Sequence, residues 1–135
     1  MKRLVLALAL LPVPALAAAP VTGRWLTAEK DSIIEIAPCG KALCGRAVRV
    51  LKRMPDGRMP VDRNNPNPAL RGRSVEGLTV LSNFTDAGSH WAGRIYDPKS
   101  GKTYRSKLTR NPNGTLKVEG CVAIFCQAYN WTPAR

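Results

Sequence analysis

The sequence predicts an all-β fold, an antiparallel barrel of about eight short strands with one long proline-rich loop. Its 135 residues give room for a single domain. The 11 glycines and 11 prolines mark frequent turns, and no stretch carries an apolar stripe of helical period over three turns. A closed barrel removes the exposed edges through which sheets aggregate, although a two-sheet sandwich fits the same pattern. The composition excludes a coiled coil, a multidomain enzyme and a polytopic membrane protein.

The first 19 residues have the form of a signal peptide. A basic start at residues 2–3 precedes the apolar residues 4–11, which are too few to span a bilayer, since that takes roughly 20. A small-x-small pattern ends at Ala17, so we expect cleavage after Ala17 or Ala19. Residues 20–135 then form one barrel domain, periplasmic or secreted, with no transmembrane segment.

The first half of this domain contains four strand-like runs, at residues 23–26, 33–37, 46–51 and 78–84. Isoleucines dominate the second run, and the third mixes β-branched residues with arginine, which is typical of a half-exposed strand. Pro38 and Gly40 set the turn between these two runs.

Residues 52–75 separate the third run from the fourth and contain four prolines. Loops of this length without secondary structure are uncommon inside one domain, and they are usually functional or disordered. We predict an ordered crossing loop with a short helical turn near Pro68.

The second half contains four further runs, at residues 91–96, 103–108, 116–119 and 125–131. Residues 97–102 and 111–114, which separate three of them, are rich in Pro, Gly, Asn and Asp and predict tight turns. Alternation in the sixth run places Tyr104, Ser106 and Leu108 on one face of the sheet.

The four cysteines form two C-x4-C pairs, Cys39 with Cys44 and Cys121 with Cys126. In an oxidising compartment an even number of cysteines indicates disulfides, whereas a zinc site is the alternative and is more typical of reducing compartments. Three pairings are possible. Because each pair flanks a short apparent turn, we favour the two local bridges.

Six motifs stand in one order along the chain: Gly23-x-Trp25, Cys39-Gly40-x-x-Leu43-Cys44-Gly45, Asn65-Pro66-x-Pro68-x-Leu70-Arg71-x-Arg73, Gly77-Leu78, Trp91-x-Gly93-x-Ile95-Tyr96-Asp97-Pro98-x-x-Gly101-Lys102-Thr103-Tyr104 and Leu116-x-Val118-x-Gly120. Together they resemble a bacterial exported family, domain of unknown function family 2147. The resemblance covers residues 23–131. It implies a barrel of the calycin superfamily, similar to the lipocalins that carry small hydrophobic ligands, and it assigns no catalytic residue.

The opening Gly23-x-Trp25 is similar to the lipocalin signature on the first strand. The resemblance implies that Trp25 closes one end of the barrel and packs against an arginine near the C-terminus. The family usually ends in Trp-Thr-Arg, whereas this chain continues from Thr132 to Arg135 through an inserted Pro-Ala. We therefore expect Arg24 or Arg135 to supply the cation.

Catalytic residues, metal ligands and a cofactor site are not expected. His90 is the only histidine, and it follows Ser89 in an apparent solvated turn, where neighbouring residues rarely orient as nucleophile and base. Carboxylate pairs fall in loops, where we expect solvation, at Glu29 with Asp31 and at Asp56 with Asp62. No complete catalytic set emerges, so we expect a protein that is not an enzyme.

The candidate ligand-binding residues are Arg71, Arg73, Tyr96 and Tyr104. Residues 62–73 are expected to cover the barrel mouth opposite Trp25, where the two arginines can meet the anionic head of a small hydrophobic or amphiphilic ligand. The arginines can equally cap carbonyls of their own loop, and the tyrosines can equally fill a solid core.

The positive charge, a formal net of +12, is concentrated in residues 46–73 and 94–117. Such clusters favour weak contact with an anionic envelope surface, or simply keep the barrel soluble. The alternative function is an envelope protein-interaction or inhibitor module that uses a basic surface. Nucleic acid is not an expected partner, because no recognition motif is present. The sequence fixes no oligomeric state.

Overall fold

The computed structural model of the chain describes residues 1–2, 4–12 and 16–135. The sheet is one closed antiparallel barrel in which each strand pairs with the next and β1 pairs with β8. The strands are β1 (Gly23–Leu26), β2 (Ser32–Cys39), β3 (Ala42–Val50), β4 (Thr79–Asp86), β5 (Trp91–Asp97), β6 (Lys102–Arg110), β7 (Leu116–Val122) and β8 (Phe125–Pro133). The predicted barrel is confirmed, and the sandwich alternative is wrong.

The up-and-down order of the strands gives the barrel two different ends. The connections at residues 27–31, 51–78, 98–101 and 123–124 lie together at one end, which we call the mouth. The three other turns lie at the opposite end, which we call the floor. The long loop is ordered, with a single 3-10 turn at Pro68–Leu70, as predicted.

The floor is filled by large side chains around Trp25, whose exposed fraction is 2%. Phe84, Leu108 and Leu116 are fully buried there, and Trp131 belongs to the same core. Burial of this much apolar surface is the main stabilising contribution to the fold. The expected structural role of Trp25 agrees with this position.

The cation over Trp25 is Arg110, with its guanidinium carbon 5.0 Å from the ring centroid. The expectation of Arg24 or Arg135 is wrong for a geometric reason. Arg24 is the chain neighbour of Trp25, so it points to the outer face, where its Nε donates to Glu35 at 2.8 Å. Arg110 lies two residues after the inward Leu108 on β6, so it is on the same face of the sheet and reaches the ring.

Residues 18–22 close the floor ahead of β1. Val21 is fully buried, and its carbonyl accepts the indole Nε1–H of Trp25 at 2.9 Å. The carbonyl of Ala19 accepts the indole N–H of Trp91 at 2.9 Å. The apolar residues 4–11 ahead of this segment are exposed, while the basic Arg3 and residues 13–15 of the expected signal peptide lie outside the described residues.

Two disulfides join Cys39 to Cys44 and Cys121 to Cys126. The first bridges the β2–β3 turn at the floor, and the second bridges the β7–β8 turn at the mouth. The predicted local pairing is confirmed, and with it the zinc alternative is wrong.

Strand β5 keeps a regular register with β6, so Gly93 does not reset the alternation. Trp91 pairs with the inward Leu108, and Tyr96 pairs with the exposed Thr103. A Cβ on Gly93 would lie 2.6 Å from Cγ of Phe84, which explains why glycine stands there. Among the residues that the structure describes, no helix has the length and apolar character needed to cross a bilayer.

The Arg110–Trp25 pair predicts a measurable stability loss. We expect Arg110→Gln to lower the free energy of unfolding in urea by about 0.5–1 kcal/mol, because it removes the cation–π contact at a partly exposed site. Arg135→Gln is the matched control and should change nothing. Equal effects in the two variants would contradict the assignment of Arg110.

Candidate ligand-binding site

The mouth half of the barrel contains an open cavity of about 1120 Å³. Inward side chains of the strands and residues of the mouth loops form its wall, which is mostly apolar. Among them are Ile34, Ala47, Ile95, Val118 and Tyr129. Ligand pockets usually measure about 300–1,000 Å³ and are apolar with a few polar groups, so this cavity, slightly above that range, has the lining of a binding site and room for a small ligand.

The cavity lies at the mouth, where several inward positions carry small side chains or none. At the floor, Phe84, Leu108 and Leu116 meet across the barrel, whereas Ala47, Val118 and Gly120 line the wall nearer the mouth. A Cβ on Gly120 would meet only Cγ2 of Ile95, at 3.9 Å. The step from large to small side chains along the strands therefore leaves one half solid and the other hollow.

Tyr104 lies in the cavity wall, on the inward face of β6. It is the cross-strand partner of Ile95, which also lines the cavity. Ser106, the next inward residue towards the floor, is buried, and its hydroxyl has no hydrogen-bond partner among the described residues. Ser106 is the cross-strand partner of Gly120, so an unpaired polar group lies close to the cavity.

Tyr96 lies at the mouth and contacts the long loop. Its hydroxyl donates to Oδ1 of Asp62 at 2.6 Å, and Asn65 Nδ2 donates to Oδ2 of the same carboxylate at 2.8 Å. Arg73 Nε donates to Oδ2 of Asp62 at 3.0 Å. Three donors therefore converge on one carboxylate, which is fully buried. The loop is attached to β5 through this Asp62 cluster.

The expectation that Asp62 is solvated is wrong. Burial alone raises the pKa of the Asp62 carboxyl, but the hydrogen bonds from Tyr96, Asn65 and Arg73 outweigh it and hold the pKa below its ordinary value. Burial and the bond to Asp62 raise the pKa of Tyr96 to about 12. The pair is therefore a carboxylate and a neutral phenol at neutral pH.

The two predicted arginines hold the loop together. Arg71 Nε donates to the carbonyl of Asn65 at 2.8 Å, and Arg73 belongs to the Asp62 cluster. Neither side chain lines the cavity, whereas Pro60, Val61 and the neighbouring residues 63–64 do. Of the four predicted ligand-binding residues, Tyr96 and Tyr104 line the cavity, and a direct ligand contact by Arg71 or Arg73 stays a prediction.

A second polar group closes one side of the mouth. Lys99, in the β5–β6 turn, pairs with Glu29 and lies 3.1 Å from Oδ2 of Asp31, both in the β1–β2 loop. The hydrogen bond to Glu29 raises the pKa of Lys99. Burial raises the pKa of Asp31, but the hydrogen bonds from Thr27 and Lys99 lower it more, so the net shift is downward.

No sequence signal predicts this contact, since Lys99 stands in one polar loop and its two carboxylate partners stand in another. Only the up-and-down barrel order places the β1–β2 loop beside the β5–β6 turn. Asn64 extends the contact, because its Nδ2 donates to the carbonyl of Lys99 at 2.9 Å. Arg63, which precedes it, lines the cavity and makes no ion pair within the described part of the chain.

Ser89 and His90 do contact each other, with Oγ 2.8 Å from Nδ1, in the exposed turn between β4 and β5. This turn lies at the floor, away from the cavity. For residues 1–2, 4–12 and 16–135, no acidic residue hydrogen-bonds the ring and no cluster of three metal-ligating side chains occurs.

A family model with the description "Uncharacterized protein conserved in bacteria (DUF2147)" matches residues 23–133. Among solved structures, the chain is similar to one described as "Protein HP1028 from the human pathogen Helicobacter pylori belongs to the lipocalin family". The TM-score is 0.74 and the identity 24%, over 87% of this chain and 85% of that chain. No curated protein matches the sequence. The family prediction and the lipocalin-like fold are confirmed.

The Asp62 cluster predicts a pH-dependent stability. A depressed carboxyl pKa stabilises the fold above the unfolded value of about 3.9, and that contribution is lost as the pH falls through the lower folded value. We expect Asp62→Asn to lower the free energy of unfolding at pH 7 by about 2 kcal/mol, since it removes a charged hydrogen-bond acceptor. The difference from the unchanged protein should shrink below about pH 4.

Chemical denaturation between pH 3 and pH 8 measures this difference. Asp56→Asn is the control, because Asp56 lies in the same loop with its side chain 58% exposed. If Asp62→Asn lowers the free energy of unfolding by the same amount at every pH, or if Asp56→Asn lowers it equally, the ionised cluster does not stabilise the loop.

Proposed function

We propose that this chain, which belongs to the DUF2147 family of uncharacterized bacterial proteins, is an exported lipocalin-like protein that binds a small hydrophobic or anionic amphiphilic ligand inside its barrel. The observation that carries the proposal is the cavity of about 1120 Å³. A core that could have been packed solid, as it is at the floor, is instead hollow towards the mouth. Such a void forgoes packing energy that a ligand can restore.

The chemistry of the wall favours an apolar ligand body. Aliphatic and aromatic side chains surround it, so transfer of a hydrocarbon chain from water is favourable by about 25 cal/mol per Å² of buried surface. Polar groups occur mainly at the mouth. A ligand with one apolar and one polar end therefore fits with its polar end outward.

The anionic part of the proposal rests on Arg63 at the mouth. Lys99 is held by Glu29 and Asp31, and Lys52 Nζ donates to the carbonyl of Glu29 at 2.9 Å. Arg63 has no such partner among the described residues, so its guanidinium remains available for a carboxylate or phosphate. In this arrangement Arg71 and Arg73 support the loop that presents Arg63.

Export is supported by the signal-like residues 1–19 and by the two disulfides, which are compatible with an oxidising compartment. The solved structure to which the chain is similar is described as a member of the lipocalin family. We extend ligand binding to this chain on the strength of its own cavity.

The alternative is a protein-interaction or inhibitor module that uses a basic surface. One observation favours it, the exposed side chains of Arg94, Lys102 and Arg105 on neighbouring strands. Such a module would not need the cavity. A substitution that fills the cavity should therefore abolish ligand binding but leave a protein interaction intact.

We expect Gly120→Val to weaken binding of a fluorescent fatty acid by tenfold or more while the fold persists. Gly120 lines the cavity, and valine is well accepted in a strand, so the added side chain occupies ligand volume without strain. Fluorescence titration measures the affinity, and thermal unfolding checks the fold.

Ala128→Val is the matched control, because Ala128 is exposed on β8 beside the outward Glu119. If Gly120→Val binds the fatty acid as tightly as the unchanged protein, the cavity is not the binding site. Absence of fatty-acid binding in the unchanged protein, with no lipid extractable from material purified after export, would overturn the proposed function.

A further inference from the structure

The β7–β8 turn carries an exposed apolar surface at the mouth. We call residues 122–125 the β7–β8 tip. Val122 is 62% exposed, Ile124 87% and Phe125 77%. Hairpin turns are normally polar, and Ala123 has φ of 51°, a left-handed conformation that favours Gly or Asn. Local conformation and solvation both disfavour these residues, so an external contact is the physical reason for an apolar tip.

The tip is held outward. The bridge between Cys121 and Cys126 lies at its base, and Cys121 and Cys126 are cross-strand partners. Arg105 Nη2 donates to the carbonyl of Ala123 from the neighbouring strand. The two attachments prevent the tip from folding back to bury its side chains against the barrel.

A basic patch lies beside the tip, formed by Arg94, Lys102 and Arg105. All three side chains are exposed, and they share one surface groove with Cys121 and Val122. Arg94 and Arg105 are direct cross-strand partners, an arrangement of like charges that destabilises a sheet. None of the three pairs with a carboxylate in the part of the chain that the structure describes.

We propose that the mouth docks on an anionic phospholipid bilayer, with the β7–β8 tip inserted between the head groups and the basic patch against lipid phosphates. Apolar side chains flanked by cations match such a surface in both chemistry and charge. Val122 and Phe125 also line the cavity, so the inserted tip is continuous with the cavity wall. An amphiphile can then pass between bilayer and cavity along an apolar surface.

Docking deepens the proposed function, since it names the bilayer as the source or destination of the ligand. Its own evidence is separate, because the exposure of the tip and the charge of the patch do not depend on what the cavity holds. The two can therefore fail independently.

The test is flotation of the protein, purified after export, with vesicles of phosphatidylglycerol and phosphatidylethanolamine or with vesicles of phosphatidylcholine alone. We expect binding to the anionic vesicles that weakens as salt rises from 0.05 to about 0.5 M, because screening shortens the reach of the charges. Ile124→Ser with Phe125→Ser should reduce binding tenfold or more. Phe125→Trp should show a blue-shifted emission on binding, which reports insertion.

The charge contribution has a matched control. Arg94→Gln with Lys102→Gln should reduce binding at least tenfold, and Arg105 is kept because it also holds the tip. The control set, Arg46→Gln with Arg49→Gln, removes the same charge from exposed positions in β3 and should retain most binding. If both sets of variants lose vesicle binding equally, only the net charge matters, and the proposal is overturned.

Equal binding to neutral vesicles, or no effect of the tip substitutions, would also overturn docking. Self-association that disappears with the tip substitutions would assign the tip to contact between copies of the chain instead. The fatty-acid titration is run on the same variants without vesicles. Tip variants that still bind the fatty acid but no longer float with vesicles support docking. An unchanged protein that floats with vesicles but binds no fatty acid refutes the cavity proposal alone.

A separate observation concerns the N-terminus of the barrel. The backbone nitrogen of Ala18 lies 3.0 and 3.2 Å from the two carboxylate oxygens of Asp86. Ala18 is only 9% exposed. Asp86 forms no ion pair with any side chain that the structure describes. The amide N–H of Gly88 also donates to Oδ1 of Asp86, at 2.8 Å. Two amides therefore face a carboxylate that lacks a cation, and only the Ala18 nitrogen lies near both of its oxygens.

We infer that signal peptidase hydrolyses the Ala17–Ala18 bond and that the new α-ammonium of Ala18 pairs with Asp86. Hydrolysis by one water leaves a carboxylate on Ala17 and an ammonium on Ala18, so the charge that Asp86 lacks is created by processing. Cleavage after Ala19 would instead remove the Ala18 contact and the carbonyl that binds Trp91.

Intact mass measurement of the exported protein should give a chain of residues 18–135. Asp86→Asn should lower the melting temperature of that chain by several degrees, and by less in a chain that keeps one glycine before Ala18, where the ammonium is displaced. A mature chain that begins at Pro20, or an equal effect of Asp86→Asn in both chains, would overturn the inference.

Discussion

Closure of the sheet between β1 and β8 is the constraint on which the rest of the molecule depends. It rests on two residue pairs, Trp25 with Pro133 and Leu26 with Thr132, extended by the bond from the Ala134 amide to the Arg24 carbonyl at 2.9 Å. A seam this short is reinforced from inside, because Trp25 belongs to β1 and packs in the floor core. Without closure the two terminal strands would be free edges, and the cavity would have no wall on that side.

The two ends of the barrel differ in role: the packed floor stabilises the fold, and the hollow mouth offers space for a ligand. The floor contains the largest buried side chains, the Arg110–Trp25 contact and one disulfide. The mouth contains the long loop, the Asp62 cluster and the second disulfide, which hold irregular backbone in place above a hollow interior. Loops that are fixed by polar contacts can present side chains to a ligand at little entropic cost.

The sequence predicted the strands well because alternation and turn residues are local signals. The predicted runs all coincide with strands, and most of the strands extend beyond them by a few residues. Local disulfides were predictable for the same reason. Arg110 was not, since it meets Trp25 across 85 positions of chain and only the closed barrel brings them together. The burial of Asp62 is not predictable from its polar loop, because it depends on Tyr96, which reaches it from β5, and on the way the loop folds Arg73 against it. Arg71 and Arg73 lie in the loop at the mouth end and contact that loop. No sequence signal separates an arginine that holds a loop from one that faces a ligand.

The up-and-down order of the strands also sets the order in which the barrel can form. Seven of its strand pairings join neighbours in the chain, and each of these hairpins can form as soon as its two strands have been synthesised. The eighth joins the first strand to the last, so the edge of β1 that faces away from β2 stays unpaired until more than 100 residues have followed it. During that interval the edge of β1 is open to wrong partners. With only four residues, β1 offers such partners the shortest strand edge in the sheet.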